Sequence, residues 1–96
     1  MIERRYRFFF SKQSEKCLRK NPSRLTHTGV EIAVVSSIKR ITLKEVNSAD
    51  VVEMKGREKG FFRTRVRDIR IVFSYLDGAV RIVSIATIDF RGSVYH

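Results

Sequence analysis

The feature that most constrains the fold is a run of alternating apolar and polar side chains, FFRTRVRDIRIVFSYLDGAVRIVSIATIDFRG, near the carboxyl end. Successive side chains of a strand point to opposite faces of its sheet, so this alternation predicts half-buried strands. Two turns, at Arg67-Asp68 and at Asp77-Gly78, divide the run into three strands. The sequence therefore predicts two consecutive hairpins in an antiparallel meander.

The second of these turns predicts a register for the hairpin that it closes. Glycine tolerates the positive φ that a two-residue hairpin turn demands. A two-residue turn at Asp77-Gly78 predicts the pairs Leu76 with Ala79, Phe73 with Ile82, and Arg70 with Ile85. The apolar face of this hairpin would then carry Ile69, Ile71, Phe73, Tyr75, Val80, Ile82, Ala86 and Ile88.

The turn at Arg67-Asp68 gathers arginines on the other face. It sets Arg65 opposite Arg70, and Arg63 opposite Val72, while the apolar side of this strand carries Phe62, Thr64 and Val66. Like charges that lie directly opposite destabilise a sheet unless water or an anion surrounds them. The pattern fits either a solvated basic face or a phosphate clamp, because guanidinium groups donate paired hydrogen bonds to phosphate oxygens.

Two charged residues of the last strand share this parity. Arg91 has the parity of Ile85 and reaches the arginine side if the strand runs on without a bulge. Asp89 lies on the same side and is a candidate base. We expect Asp89 instead to neutralise a neighbouring arginine.

The charge of the chain indicates a polyanionic partner. Its 96 residues carry a net charge of +10, which attracts nucleic acid, an anionic membrane or an acidic protein. The basic side chains are densest between positions 55 and 70, at Lys55, Arg57, Lys59, Arg63, Arg65, Arg67 and Arg70. The apolar run Phe8-Phe9-Phe10 is too short for a signal peptide or a membrane span, so we expect a cytoplasmic protein with no membrane partner.

The amino-terminal half predicts a strand followed by two helices. The strand is Ile2 to Phe10, and Ser11 caps a first helix over Lys12 to Lys20 that ends at Asn21-Pro22. A second helix runs from a Ser23 cap to Arg40, and its sheet-facing side chains are Leu25, Ile32, Val35 and Ile38. Val51 to Met54 adds a short strand.

The order of these elements predicts one α+β domain over residues 1–96. An amino-terminal strand and two helices would be followed by an antiparallel meander, which forms a four- or five-stranded sheet with the helices packed on one face. Neither a metal nor a cofactor is expected, because His27 and His96 lie in unrelated contexts and no phosphate-binding glycine loop is present. Cys17, the single cysteine, is expected to be a packed thiol. The tail with Tyr95 and His96 is either frayed or places a stacking tyrosine and a proton-shuttling histidine near the arginines.

Three segments together resemble the RelE/ParE toxin superfamily, and most of all its archaeal RelE branch. They are Met54-Lys55-Gly56, then FRTRVRDIRIVFSY from Phe62 to Tyr75, then RGSVY from Arg91 to Tyr95. Two positions depart from the family pattern, because Arg67 stands where a glycine is usual and Ile69 where an aromatic residue is usual. A distorted turn at Arg67 would shift the register of Arg70.

The resemblance implies a metal-independent endoribonuclease that cleaves mRNA in the A site of a 70S-type ribosome. The ribose 2′-OH attacks the adjacent phosphate and leaves a 2′,3′-cyclic phosphate. By position, the catalytic residues would be Arg63 and Arg70 at the scissile phosphate, Arg91 at the phosphate or leaving oxygen, Tyr95 at a base, and Lys55 as base or electrostatic aid. The RNA-binding residues would be Arg57, Lys59, Arg65, Arg67 and His96.

The resemblance also implies an acidic, RelB-like antitoxin as partner. Two other functions stay open at this stage. One is a ParE-like toxin that inhibits DNA gyrase without cutting RNA, and the other is an inactive basic module that only binds RNA or an acidic protein. The arginines and Tyr95 favour the nuclease, since a protein that only binds gyrase has no evident need for them.

Overall fold

The computed structural model describes residues 5–43, 51–54, 56 and 60–90, in which two helices pack on one face of a five-stranded sheet. In chain order the elements are β1 (Arg5–Phe10), α1 (Lys12–Lys20), α2 (His27–Thr42), β2 (Val51–Glu53), β3 (Phe62–Val66), β4 (Ile69–Leu76) and β5 (Val80–Phe90). The predicted α+β architecture is confirmed. Residues 2–4 of the predicted first strand lie outside the described residues.

The sheet has the strand order β1-β5-β4-β3-β2. Strands β2 to β5 form the predicted antiparallel meander, and β1 lies parallel to β5 with Arg5 opposite Val80 and Phe10 opposite Ile85. A parallel neighbour requires a long crossover connection, and the two helices are part of that connection. The parallel pairing of the first and last strands is not evident from the sequence.

Helix α1 has the predicted bounds. The Ser11 hydroxyl accepts a hydrogen bond from the Ser14 backbone N–H at 3.1 Å, as an N-cap does. At the other end the Asn21 N–H donates to the Leu18 carbonyl at 3.2 Å, and Pro22 follows. Leu18, which is 4% exposed, joins the core between the helices and the sheet.

Helix α2 starts later than predicted, because Thr26 and not Ser23 is its N-cap. The Thr26 hydroxyl accepts from the Gly29 N–H at 3.0 Å. Before it, residues 22–24 form a turn in which the Leu25 N–H returns to the Asn21 carbonyl at 3.3 Å. Ser23 is therefore part of the connection between the helices.

The sheet-facing stripe of α2 also differs from the prediction. Val30, Val34 and Ile38 are fully buried, and their four-residue spacing keeps them on one side of the helix. Ile32 lies between two of them in sequence, which places it on the opposite side, and it is 66% exposed. Ile38 is buried as predicted, and Leu25 is buried in the core although it precedes the helix. Val35 is only half-buried and does not belong to the core, so its predicted place on the stripe is wrong.

The predicted register of the β4–β5 hairpin is wrong. Leu76 pairs with Ile82 and not Ala79, so residues 77–81 lie between the paired positions. The Asp77 carboxylate does not close a two-residue turn, because it accepts a hydrogen bond from Arg81 Nε at 2.8 Å and one from the Gly78 N–H at 3.1 Å. The side chain of Asp77 therefore holds a longer connection than the Asp-Gly pair predicts.

The longer connection reverses which side chains of β5 face the core, and a register shift near the middle of β5 reverses them again. Phe73 pairs with Ile85, but Val72 pairs with Thr87, so Ala86 is an extra residue. The core side chains of β5 are consequently Val83, Ile85 and Ile88, and the predicted positions Val80, Ile82 and Ala86 are wrong. Ile82 is 39% exposed.

Polar side chains from the start of α1 satisfy the backbone around this irregularity. Strand β1 ends beside Ile85, so the next part of β5 has no strand on that side among the described residues. The Ser11 hydroxyl donates to the Ala86 carbonyl at 2.7 Å. The amide of Gln13 both donates to and accepts from the Ile88 backbone, at 2.9 and 3.0 Å. These contacts replace the missing ladder hydrogen bonds.

No helix in the described ranges is long and apolar enough to cross a membrane.

Candidate nucleic-acid interface

The face of the sheet opposite the helices carries the predicted arginines of β3 and β4. Thr64 on β3 is buried and its hydroxyl accepts a hydrogen bond from Ser37 of α2 at 2.8 Å, so its neighbours Arg63 and Arg65 point to the other side. On β4, Ile69 and Ile71 are in the core, and Arg70 between them points away from it. We call this surface, made by Arg63, Arg65 and Arg70, the arginine face.

The strand register sets these side chains in two rows. Arg65 lies opposite Arg70, and Arg70 lies opposite Asp89 on the next strand. In the second row Arg63 lies opposite Val72. The predicted pairs between β3 and β4 are confirmed, whereas the partner of Arg70 on β5 is Asp89 and not the predicted Ile85. Side chains directly opposite have Cβ atoms about 4.5–5.5 Å apart, so the arginines of one row can reach one anion.

Asp89 neutralises part of this charge, as expected. The Nη2 atom of Arg70 donates to Oδ2 of Asp89 at 3.3 Å, and the two side chains are 23% and 42% exposed. Arg70 Nε and Asp89 Oδ1 are buried and have no hydrogen-bond partner among the described residues. An arginine and a carboxylate frequently make two parallel hydrogen bonds, and this pair makes one. Asp89 therefore restrains Arg70 without using all of its donors.

Asp89→Asn is expected to strengthen binding of an uncleavable 2′-O-methyl RNA oligonucleotide about twofold to fivefold, because a partly exposed ion pair contributes roughly 0.2–1 kcal/mol. The substitution leaves Arg70 free to pair with phosphate. Fluorescence anisotropy measures the effect, with Glu31→Gln on the helix layer as a control for the change in net charge. Equal affinities of wild type and Asp89→Asn would contradict a competition between Asp89 and phosphate for Arg70.

Another arginine of the sheet, Arg81, makes its hydrogen bonds within the protein. Arg81 on β5 is 9% exposed and donates to Asp77 at 2.8 Å and to the Tyr6 hydroxyl at 3.0 Å. The hydrogen bond with Asp77 raises the pKa of Arg81, and burial opposes that rise. Its guanidinium also lies 6.0 Å from the centroid of the Tyr75 ring. Arg81 thus holds the β4–β5 connection and is not part of the arginine face.

Arg67 adopts a left-handed backbone conformation at the β3–β4 turn. Its φ is 56°, in the left-handed region that glycine adopts readily and other residues seldom do. Val66 pairs with Ile69 across the turn, and Arg65 still pairs with Arg70. The departure from glycine at this position therefore leaves the register of Arg70 unchanged.

The structure thus brings together three of the predicted site residues, Arg63, Arg65 and Arg70, and places Arg67 at the end of their hairpin. The other predicted residues lie outside the described ranges: Lys55, Arg57, Lys59, Arg91, Tyr95 and His96. Arg24, which no sequence pattern indicated, donates to Asp68 in the β3–β4 turn at 2.6 Å. No local pattern links these residues, because they are far apart in the sequence and meet only in the fold.

Neither the Cys17 thiol nor the histidine and acidic side chains of the described residues form a second candidate site. Burial raises the pKa of the Cys17 thiol, and the negative charge of Asp89 raises it further, so the thiol is disfavoured as a nucleophile. Cys17 packs against the core, in agreement with the packed thiol that was expected. In the part of the chain that the structure describes, no three histidine, cysteine or acidic side chains group together as metal ligands.

No model of a known protein family matches the sequence, and neither does any curated protein. Solved structures do match along most of their length. The YoeB/ParE toxin from Agrobacterium tumefaciens is 13% identical, with 86% of this chain and 96% of that chain covered and a TM-score of 0.57. The YoeB–YefM toxin–antitoxin complex from Staphylococcus aureus gives 17% identity, 96% and 98% coverage and a TM-score of 0.54.

A third match is the toxin–antitoxin complex RelBE2 from Mycobacterium tuberculosis. It gives 18% identity, 91% and 99% coverage and a TM-score of 0.53. At these identities the matches concern the fold. The resemblance drawn from the sequence is therefore confirmed at that level: the chain has the fold of the RelE/ParE toxins.

Proposed function

We propose that this chain is the toxin of a type II toxin–antitoxin system and that it cleaves mRNA in the ribosomal A site. The observation that carries the proposal is the arginine face, where β3 and β4 hold Arg63, Arg65 and Arg70 on the side of the sheet away from the helices. The fold of the chain is also that of toxins whose structures were solved in complex with their antitoxins. A pure structural role would not require three arginines in one cluster, since their mutual repulsion destabilises a sheet.

The proposed reaction is an internal transfer at a phosphodiester of RNA. The 2′-oxygen of a ribose forms a bond to the adjacent phosphorus as its proton leaves to a base, and the bond from phosphorus to the 5′-oxygen of the next nucleotide breaks as that oxygen gains a proton. The products are a 2′,3′-cyclic phosphate and a 5′-hydroxyl. The nucleophile is part of the substrate, so no metal-bound water takes part.

The arginines would act on the charge that develops in this reaction. Negative charge grows on the phosphate oxygens in the transition state, and fixed guanidinium groups stabilise it without reorganising. In this proposal Arg70 and Arg63 hold the scissile phosphate. Arg91 would meet the phosphate or the leaving oxygen, Tyr95 would stack on a base, and Lys55 would serve as base or electrostatic aid.

The test is a cleavage assay on programmed ribosomes. Wild-type protein is added to ribosomes stalled on a defined mRNA, and primer extension maps the cut. Cuts confined to the A-site codon, absent when that codon carries 2′-deoxyribose at the cut position, support the proposal. An intact mRNA combined with DNA damage in cells that express the protein would replace it with inhibition of gyrase.

We further propose an acidic antitoxin that binds at the outer edge of β1. Among the described strands β1 is at the edge of the sheet, and an open edge accepts an added strand. Beside it lies an apolar groove of about 440 Å³ that Tyr6, Phe8, Ile32 and Val35 line with Glu31, Ser36 and Lys39. Arg5 and Arg7 are exposed on the opposite face of the same strand. A strand that alternates apolar and acidic side chains would fit both faces.

Ile32→Asp is expected to weaken binding of a synthetic peptide that alternates leucine and glutamate at least about tenfold, because a buried aliphatic contact contributes roughly 1.5–3 kcal/mol. The new carboxylate would also repel the peptide. Isothermal titration calorimetry measures the affinity. Leu76→Asp is the control, since Leu76 is 70% exposed and Ile32 is 66% exposed. If both variants lose affinity equally, the peptide does not occupy this groove.

A further inference from the structure

A small polar cavity at the end of the β3–β4 hairpin has no part in the function described so far. It measures about 170 Å³, and the side chains around it are Ser23, Arg24, Arg67, Asp68 and Ile69. Ser23 and Arg24 come from the connection between α1 and α2, and the other three come from the turn and the start of β4. Two arginines and a hydroxyl therefore meet a single carboxylate in a space large enough for a phosphate group.

Arg24 is held in place by two contacts with different elements. Its Nη2 atom donates to Asp68 Oδ2 at 2.6 Å, and its guanidinium carbon lies 4.5 Å from the centroid of the Phe90 ring. The side chain remains 43% exposed. A guanidinium has five N–H donors, and the contact with Asp68 uses one nitrogen. An arginine that is fixed in this way loses little conformational freedom when it binds an anion.

Arg67 occupies a backbone conformation that costs free energy. Among the described residues it is the one non-glycine with a positive φ, at 56°. Glycine would adopt this conformation without strain, and β3 and β4 would still pair around it. Residues held in such sparsely populated conformations cluster at binding and active sites, where the side chain offsets the strain by its role. The arginine side chain is therefore the feature of this turn that needs an explanation.

The charge of the cavity favours an anion. Arg24 and Arg67 contribute two positive charges, and Asp68 contributes one negative charge that Arg24 already balances. The turn lies next to the arginine face, because Arg65 precedes Arg67 by two residues and Arg70 follows Asp68 by two residues. A single-stranded RNA that lies across the arginine face can reach the cavity by passing over the end of this hairpin.

We propose that this cavity is a second phosphate subsite, which binds a neighbouring phosphate of the same RNA strand that is cleaved on the arginine face. The inference rests on the proposed RNA substrate and goes beyond it by assigning Arg24, Arg67 and Ser23 to a phosphate away from the scissile bond. Arg24 and Arg67 donate to the phosphate oxygens, and the Ser23 hydroxyl adds a neutral donor.

The test compares oligonucleotides of increasing length. Uncleavable 2′-O-methyl RNA of two to six nucleotides is titrated into wild-type protein, Arg67→Gly and Arg24→Gln, with fluorescence anisotropy as readout. For wild type we expect a step in affinity of about tenfold when the strand becomes long enough to place a phosphate in the cavity. Both variants should lose that step, and the slope of log affinity against log salt should fall by about 0.7.

Arg67→Gly separates binding from folding, because glycine removes the charge and relieves the backbone strain together. Its melting temperature should be no lower than that of wild type. Lys16→Ala is the matched control, since it removes one exposed positive charge from α1. If the step survives in Arg67→Gly and Arg24→Gln, or disappears equally in Lys16→Ala, the subsite is refuted.

The two proposals fail in different ways. A wild-type protein that leaves ribosome-bound mRNA intact overturns the proposed cleavage. If the wild-type protein cuts the mRNA, but Arg67→Gly and Arg24→Gln bind oligonucleotides with the same length dependence as wild type, only the subsite is overturned. If the affinity for an acidic peptide of matched charge rises with length in the same step, the cavity binds a protein partner, and the RNA phosphate subsite is overturned.

Discussion

Arg70→Ala is expected to slow cleavage of mRNA in the A site by about tenfold to a thousandfold, because it removes one fixed donor from the growing charge on phosphate. Arg70 is the central side chain of its row, with Arg65 on one side and Asp89 on the other. The loss should appear in the rate of a single turnover at saturating protein. Quantified primer extension on programmed ribosomes measures that rate.

The fold should survive this substitution. Arg70 is 23% exposed, and its contact with Asp89 is a single hydrogen bond of 3.3 Å. Losing such a partly exposed pair costs about 1 kcal/mol or less, which lowers the melting temperature by no more than about 8 °C. Arg19→Ala is the matched control, because Arg19 is an exposed arginine in the last turn of α1 and lies outside the arginine face. A fully active Arg70→Ala protein would show that the reaction occurs elsewhere.

The parts of the fold that the sequence predicts well are those that local chemistry determines. The cap at Ser11 and the stop at Pro22 define α1, and both act within a few residues of the helix ends. The β3–β4 hairpin is similarly local, because a two-residue turn and strict alternation fix its register. The pairing of Arg65 with Arg70 followed from these two features alone, and it is the pairing on which the proposed site depends.

The β4–β5 hairpin shows where local chemistry stops being sufficient. Asp77-Gly78 is a strong turn signal, yet Asp77 binds the buried Arg81 and the connection lengthens. The extra residue Ala86 depends on Ser11, whose hydroxyl donates to its carbonyl across 75 positions of sequence. Asp77 and Arg81 are only four residues apart, but the Arg81 guanidinium is also held by the Tyr6 hydroxyl, which is 75 positions away. Both irregularities therefore involve contacts with the first strand or the residue that follows it. The register of the β4–β5 hairpin therefore depends on the packing of residues 6–11 against β5.

The same limit applies to the site. The ion pair of Arg70 with Asp89 follows from the corrected register, because Asp89 lies opposite Arg70 only when Ala86 is an extra residue. The longer connection and the extra residue together shift the pairing by an even number of residues, so Asp89 lies on the predicted face but opposite a different residue of β4. Arg24 was absent from the prediction because its partner Asp68 is 44 positions away. Charged side chains without a periodic pattern are located only by the tertiary fold.

Phe73→Ala is expected to lower the free energy of unfolding by about 3–5 kcal/mol, a cost that combines lost burial with the cavity left behind. Phe73 is fully buried on β4, and its ring lies 5.9 Å from the Phe62 ring. The free energy of unfolding of a domain is about 5–15 kcal/mol in total, so the variant should melt at least roughly 15 °C below wild type. Urea denaturation followed by circular dichroism gives the free energy. Leu76→Ala on the same strand, where Leu76 is 70% exposed, should change it little.

The position of Phe73 also connects the core to the arginine face. It is the last residue in register before the shift that sets Arg70 opposite Asp89. Removing its ring should loosen that shift, so cleavage should fall together with stability and recover when the variant is cooled well below its melting temperature. Arg70→Ala should show no such recovery, because its defect lies in the charge of the site. A Phe73→Ala protein of wild-type stability would mean that the sheet does not depend on this ring, and the two defects could then not be separated by temperature.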